Sequence, residues 1–240
     1  MWGIAAIDHG VYTHVGHNLN EMKKLLIILL IGISNSAFSQ AITEIDSVSY
    51  VMCDYLKNLE IKNDTLKINS LYEKQLYPYL GKFEQSQTQK IGQQVYYRLQ
   101  RNCVEFRNLL DRLEPPKEEV TRITEKPKPE ISKKQLKEFK NQKEFYYYEV
   151  AGDTTRVKME KGKWTDSFSN NTFSKLNYNW INETEFELIF LESNNETRSN
   201  FSVKGDKYIY QILSKEDGFY LMTVNIPGQE TFEKFKMYYE

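Results

Sequence analysis

The chain has 240 residues, with 32 Lys+Arg against 33 Asp+Glu and a formal net charge of −1. Such balance argues against a nucleic-acid binder, whose phosphate contacts need a clear cationic excess on one face. The 17 Tyr and 13 Phe favour a β-rich part with a well-filled core.

Residues 22–40 read MKKLLIILLIGISNSAFSQ, the pattern of a secretory signal that starts at an internal methionine. Lys23 and Lys24 form its charged start, and Leu25 to Ile33 form an apolar stretch too short to span a bilayer comfortably. Ala37 and Ser39 meet the small-residue demand for cleavage before Gln40. Residues 1–21 are then a non-native leader translated from a start taken too early, or a genuine extension that buries the signal. No cysteine stands at the cleavage point, so a lipid anchor is not indicated, and the expected product is periplasmic or secreted. His9, His14 and His17 all precede Met22. The mature chain therefore lacks the commonest general base and transition-metal ligand.

Removal of residues 1–39 leaves 201 residues, enough for one large domain or two small ones. Cys53 and Cys103 lie in a compartment that permits disulfides and read as one bridge, the alternative being two buried thiols. Residues 40–113 read as a three-helix bundle. Ile42, Ile45, Val48, Met52, Leu56 and Leu59 recur at helical spacing, and Asp64 is the expected N-cap of a second helix carrying Leu66, Leu71 and Leu76. Pro78 and Gly81 end that helix. A third helix runs from about Ser86 to Leu113 with Ile91, Val95, Leu99, Cys103, Phe106 and Leu110 on one face.

Residues 114–131 hold Pro115, Pro116, Pro127 and Pro129 among mixed charges and read as a semi-extended linker between two independent folding units. From 132 to 240 a short helix (Lys133 to Lys140), N-capped by Ser132, leads into strands around Phe145–Tyr148, Thr155–Met159, Phe186–Phe190, Tyr208–Leu213, Phe219–Ile226 and Phe232–Tyr239. The class is α+β, with a C-terminal antiparallel meander in a curled or partly open barrel. Several strands are apolar on both faces, which nominates Tyr208, Tyr210, Tyr220 and Met222 as ligand-facing residues, a packed interior being the alternative.

Gly162-Lys163-Trp164 resembles the opening signature of lipocalins, in which the tryptophan closes one end of a ligand-binding barrel. Asn179-Trp180-Ile181-Asn182, Phe186-Glu187-Leu188 and Lys204-Gly205-Asp206 together resemble a group of uncharacterised exported β-domain proteins of Gram-negative, Bacteroidota-type bacteria. These likenesses imply architecture, a lipocalin-like barrel, and no activity, and they add Trp164 and Trp180 to the candidate ligand-facing residues.

No catalytic, cofactor or metal motif stands out. Ser132-Lys133 is explained by N-capping, and Glu185 with Glu187 by the polar face of a strand. Two cysteines without histidine make no zinc site, and the acidic loops lack calcium-loop spacing. Five Asn-x-Ser/Thr triplets begin at Asn63, Asn170, Asn182, Asn195 and Asn200 and are expected to be largely unmodified on a bacterial-type export route. The sequence thus supports an exported, non-enzymatic binding or interaction protein whose partner is a small apolar ligand or an envelope protein. The alternative is a structural or inhibitor-like envelope component with a filled β core.

Overall fold

The computed structural model describes residues 34–115, 120–149 and 152–239, with side chains from Glu44 onward in the first segment. The leader, Lys23, Lys24 and the apolar stretch lie outside the described residues. Helix α1, Ser34–Lys57, buries Ile45, Met52 and Leu56.

Helix α2, Asp64–Leu71, corrects the expected cap by one residue. Asn63 is the N-cap, and its side chain accepts from the Leu66 N–H at 2.9 Å. A π-helical turn, Tyr72–Leu76, joins α2 to α3, Tyr77–Leu80. The wider turn brings Leu71 and Leu76, five residues apart, into one core. It also lies just before Pro78, which has no N–H to donate and would clash with the carbonyl four residues earlier. Leu66 falls off this face and is exposed.

The expected long third helix is two helices, α4 Gln85–Asn102 and α5 Val104–Leu113, broken at Cys103. Cys103 is extended (φ −126°, ψ 107°) and is bonded to Cys53 with a Cα–Cα distance of 5.5 Å. Val95, Leu99, Phe106 and Leu109 fill the core around that bridge.

The linker reading is corrected at residues 120–123. Val120–Ile123 forms strand β1, and Arg122 ties it to Asn108 and Asp111 of α5 and to Glu233. Further on, the Glu130 N–H donates to the Leu213 carbonyl. Helix α6, Lys133–Asn141, starts in a capping box in which Ser132 and Gln135 exchange bonds. This accounts for Ser132 without chemistry.

The remaining strands are β2 Glu144–Tyr148, β3 Thr154–Glu160, β4 Lys163–Ser167, β5 Phe173–Trp180, β6 Glu185–Ser193, β7 Lys207–Lys215, β8 Phe219–Asn225 and β9 Phe232–Tyr238. Helix α7, Glu196–Phe201, lies between β6 and β7 and was not anticipated. The nine-stranded antiparallel sheet has the order β1-β9-β2-β3-β4-β5-β6-β7-β8, and β9 also pairs with β8. Strands β2 to β9 therefore close a lipocalin-like barrel, with β1 as an extra strand.

The closing seam is narrow. Strand β2 meets β9 at Tyr146 opposite Tyr238, while β1 takes the same edge of β9 from Phe232 to Phe235. Side chains supply what the ladder lacks: Tyr146 stacks on Tyr238 at 5.2 Å, and Tyr148 and Phe219 meet the same ring at 5.3 and 5.7 Å.

At Lys161 and Gly162 φ is 51° and 72°, the paired positive values of a type I′ hairpin turn. The glycine before Trp164 thus serves a turn, and Trp164 opens the third strand of the barrel rather than the first. Four of the five Asn-x-Ser/Thr triplets are local turns or caps. Asn63, Asn170, Asn182 and Asn195 each accept a backbone N–H two or three residues on.

Bundle and barrel share buried contacts beyond the connecting segment. Tyr97 of α4 belongs to the barrel core. Arg98, 3% exposed, donates to Asp46 of α1 at 2.6 Å, to Asp206 before β7 at 2.5 Å and to the Phe201 carbonyl at the end of α7. Arg101 reaches Asp206 and the Tyr208 hydroxyl.

Candidate ligand site in the barrel interior

Strand alternation sends every second residue inward. On β4 these are Trp164 and Asp166, on β6 Phe186, Leu188 and Phe190, and on β7 Tyr208, Tyr210 and Ile212. Phe186 is the hub. Its ring lies 4.9 Å from Tyr178, 5.3 Å from Tyr210, 5.4 Å from Trp180, 5.9 Å from Trp164 and 6.2 Å from Phe139. These are separations at which aromatic rings pack on one another.

Phe139 comes from α6, which buries its apolar face, Leu136 and Phe139, in one end of the barrel. Its ring meets Tyr220 at 5.0 Å and Phe145 at 4.9 Å. Of the residues nominated from sequence, Trp164, Trp180 and Tyr210 thus gather on Phe186, Tyr220 joins through Phe139, and Met222 is buried in the same core. Tyr208 stands apart at the opposite end. Its hydroxyl pairs with Ser202 at 2.8 Å and accepts from Arg101, and burial pushes its pKa up to about 12.

That opposite end is polar and lies under α7. Arg198 projects from α7 and forms an ion pair with Glu149, which also accepts from the Thr155 hydroxyl at 2.7 Å. Burial opposes ionisation of Glu149, Arg198 and Thr155 favour it, and the carboxyl lies below its ordinary value. The Trp164 indole N–H donates to Asp166 at 2.7 Å. Burial nevertheless raises the Asp166 pKa to about 6, against the opposing pull of Arg198 and the indole bond. Tyr147 and Tyr210 are pushed well up by burial, and the Tyr147 hydroxyl has no hydrogen-bond partner among the described residues.

Sequence reasoning missed Asp166, Glu149, Arg198 and Tyr147. A signal existed for Asp166, because it follows Trp164 by two in a strand and so shares its inward face. Arg198 had none, since α7 itself was unread.

Other candidates resolve into ordinary contacts. Glu185 pairs with Lys126, and Glu187 with Lys207 at 3.0 Å, so each carboxylate already has a cation. Among the described residues, the single grouping with metal-ligand spacing is Cys53, Cys103 and Glu105. Its two sulfurs are joined to each other, so no thiolate is left to bind an ion. No described helix is long and apolar enough to cross a membrane.

The chain matches no family model, and neither the curated proteins nor the solved structures searched contain a match. The barrel interior is therefore read from its own geometry. It has an aromatic end plugged by α6 and an ionic end covered by α7, with α4 packed beside it.

Proposed function

We propose that this chain is an exported, non-enzymatic interaction protein in which the barrel is a packed scaffold and the working surface is on the outside. The observation that carries this reading is the aromatic interior. Phe186 is fully buried by rings of the protein itself, and both ends of the barrel are covered by helices. Export is supported by the signal-type sequence at 22–40 and independently by the Cys53–Cys103 bridge, which persists in oxidising compartments.

A ligand-carrying barrel is the second reading. It is favoured by the unpaired Tyr147 hydroxyl near the ionic end, since an amphipathic molecule could place its polar group there. Native mass spectrometry of the full chain, before and after exposure to a lipid extract, separates the two. The packed scaffold retains no small molecule, and its melting temperature does not move with any apolar ligand. A retained lipid of defined mass would establish the carrier instead.

A further inference from the structure

The charge balance of the whole chain conceals a segregated surface. Residues 133–143 carry Lys133, Lys134, Lys137, Lys140 and Lys143 against one carboxylate, Glu138, which is paired with Lys215 at 2.7 Å. Because Leu136 and Phe139 fill the barrel end, the remaining face of α6 turns outward, and all five lysines are exposed. Among the described residues, no carboxylate forms an ion pair with Lys133, Lys137 or Lys143, while Lys134 acts electrostatically on Glu138 one turn along.

An apolar tip stands beside these lysines. Ile181, in the turn between β5 and β6, is 53% exposed. It follows Trp180, whose ring lies 6.3 Å from Phe139 and 4.0 Å from the Lys140 ammonium. The Lys140 contact holds a cation over a half-buried indole next to an exposed aliphatic side chain. Glu130 and Glu144, which flank the segment, Glu183 in the same turn and Glu216-Asp217 in the β7–β8 turn are the nearby acidic residues, and none of them belongs to α6, whose one carboxylate is Glu138.

We infer that this end of the barrel docks on an anionic lipid bilayer surface. The occupant follows from complementarity. An anionic bilayer offers a plane of negative headgroups for the lysine row and a boundary layer that takes up Ile181 and the edge of Trp180. A nucleic acid or acidic polysaccharide would use the lysines and leave Ile181 without a role. The inference rests on the outward-acting reading of the protein and names its partner.

The test is flotation of the full chain with vesicles of phosphatidylglycerol and phosphatidylcholine, compared with phosphatidylcholine alone. Binding is expected to the anionic vesicles and to fall steeply as salt is raised. Lys133→Gln with Lys137→Gln should weaken it roughly thirtyfold, about fivefold per lysine near the surface. Ile181→Ser should weaken it further and abolish the blue shift of Trp180 fluorescence on binding. All three positions are exposed, and circular dichroism of each variant checks that the fold is kept. Equal binding to neutral vesicles, insensitivity to the lysine pair, or preference for a DNA or polysaccharide competitor would overturn the inference. Failure here leaves the packed-barrel reading standing, since that is read from retained mass. A lipid retained inside the barrel would remove that reading without altering the flotation result.

Discussion

Asp166 shows how much one inward-facing carboxyl can impose on a core. Its folded pKa of about 6 lies above the unfolded value, so the folded state binds the proton more tightly than the unfolded chain does. The associated stability is fully present below the unfolded pKa and is lost as pH rises through about 6, an effect on the order of 3 kcal/mol. Asp166→Asn should remove that slope. Melting curves of parent and variant between acid and neutral pH should diverge on the acid side of the transition, and parallel curves would refute the assignment. Two tyrosines give a second residue-scale contrast. Tyr208 bonds Ser202 and Arg101, whereas the Tyr147 hydroxyl has no hydrogen-bond partner among the described residues. Tyr208→Phe should therefore cost about 1–3 kcal/mol in urea unfolding, while Tyr147→Phe should be neutral or slightly stabilising.

Among the elements, the barrel seam and the disulfide are the points where few backbone bonds hold much structure. The stack of Tyr146 on Tyr238 reinforces a closure made by one residue pair. Tyr146→Ala is expected to lower stability by about 1–2 kcal/mol, and Tyr146→Phe, which keeps the ring, by much less. Equal losses would assign the effect to the hydroxyl rather than to stacking. The Cys53–Cys103 bridge closes a loop with a sequence separation of 50, worth about 4 kcal/mol on chain-entropy grounds. Reduction should lower the melting temperature of the whole protein, and an unchanged transition would show that helix packing suffices.

At the scale of the molecule, the buried guanidiniums join the two halves. Arg98 links α1, α4, the end of α7 and the entry to β7, and Arg107 reaches Gln229 in the β8–β9 turn. Removing one partner of a buried ion pair costs about 3–5 kcal/mol because the other charge is left unpaired. Arg98→Ala should therefore destabilise bundle and barrel together, in one calorimetric transition. Two separate transitions in the parent protein would restore the view of independent units joined by a linker.

What the sequence determined by itself was local. Period-two alternation located six of the eight barrel strands, leaving β4 and β5 unread, helical spacing located α1 and the span of α4 and α5 as one helix, and two cysteines on neighbouring stripes gave the bridge. Each of these signals arises from side chains a few residues apart that must face the same way. The tertiary structure decided what depends on distant partners. Strand β1 reads as a proline-flanked spacer because its four residues become a strand only against β9. Arg98 looks like a solvated helix residue until Asp46 and Asp206 are brought to it from distant parts of the chain. The lysines of α6 are already clustered in the sequence, and the tertiary structure decides only their outward placement, by giving Leu136 and Phe139 of that helix to the barrel.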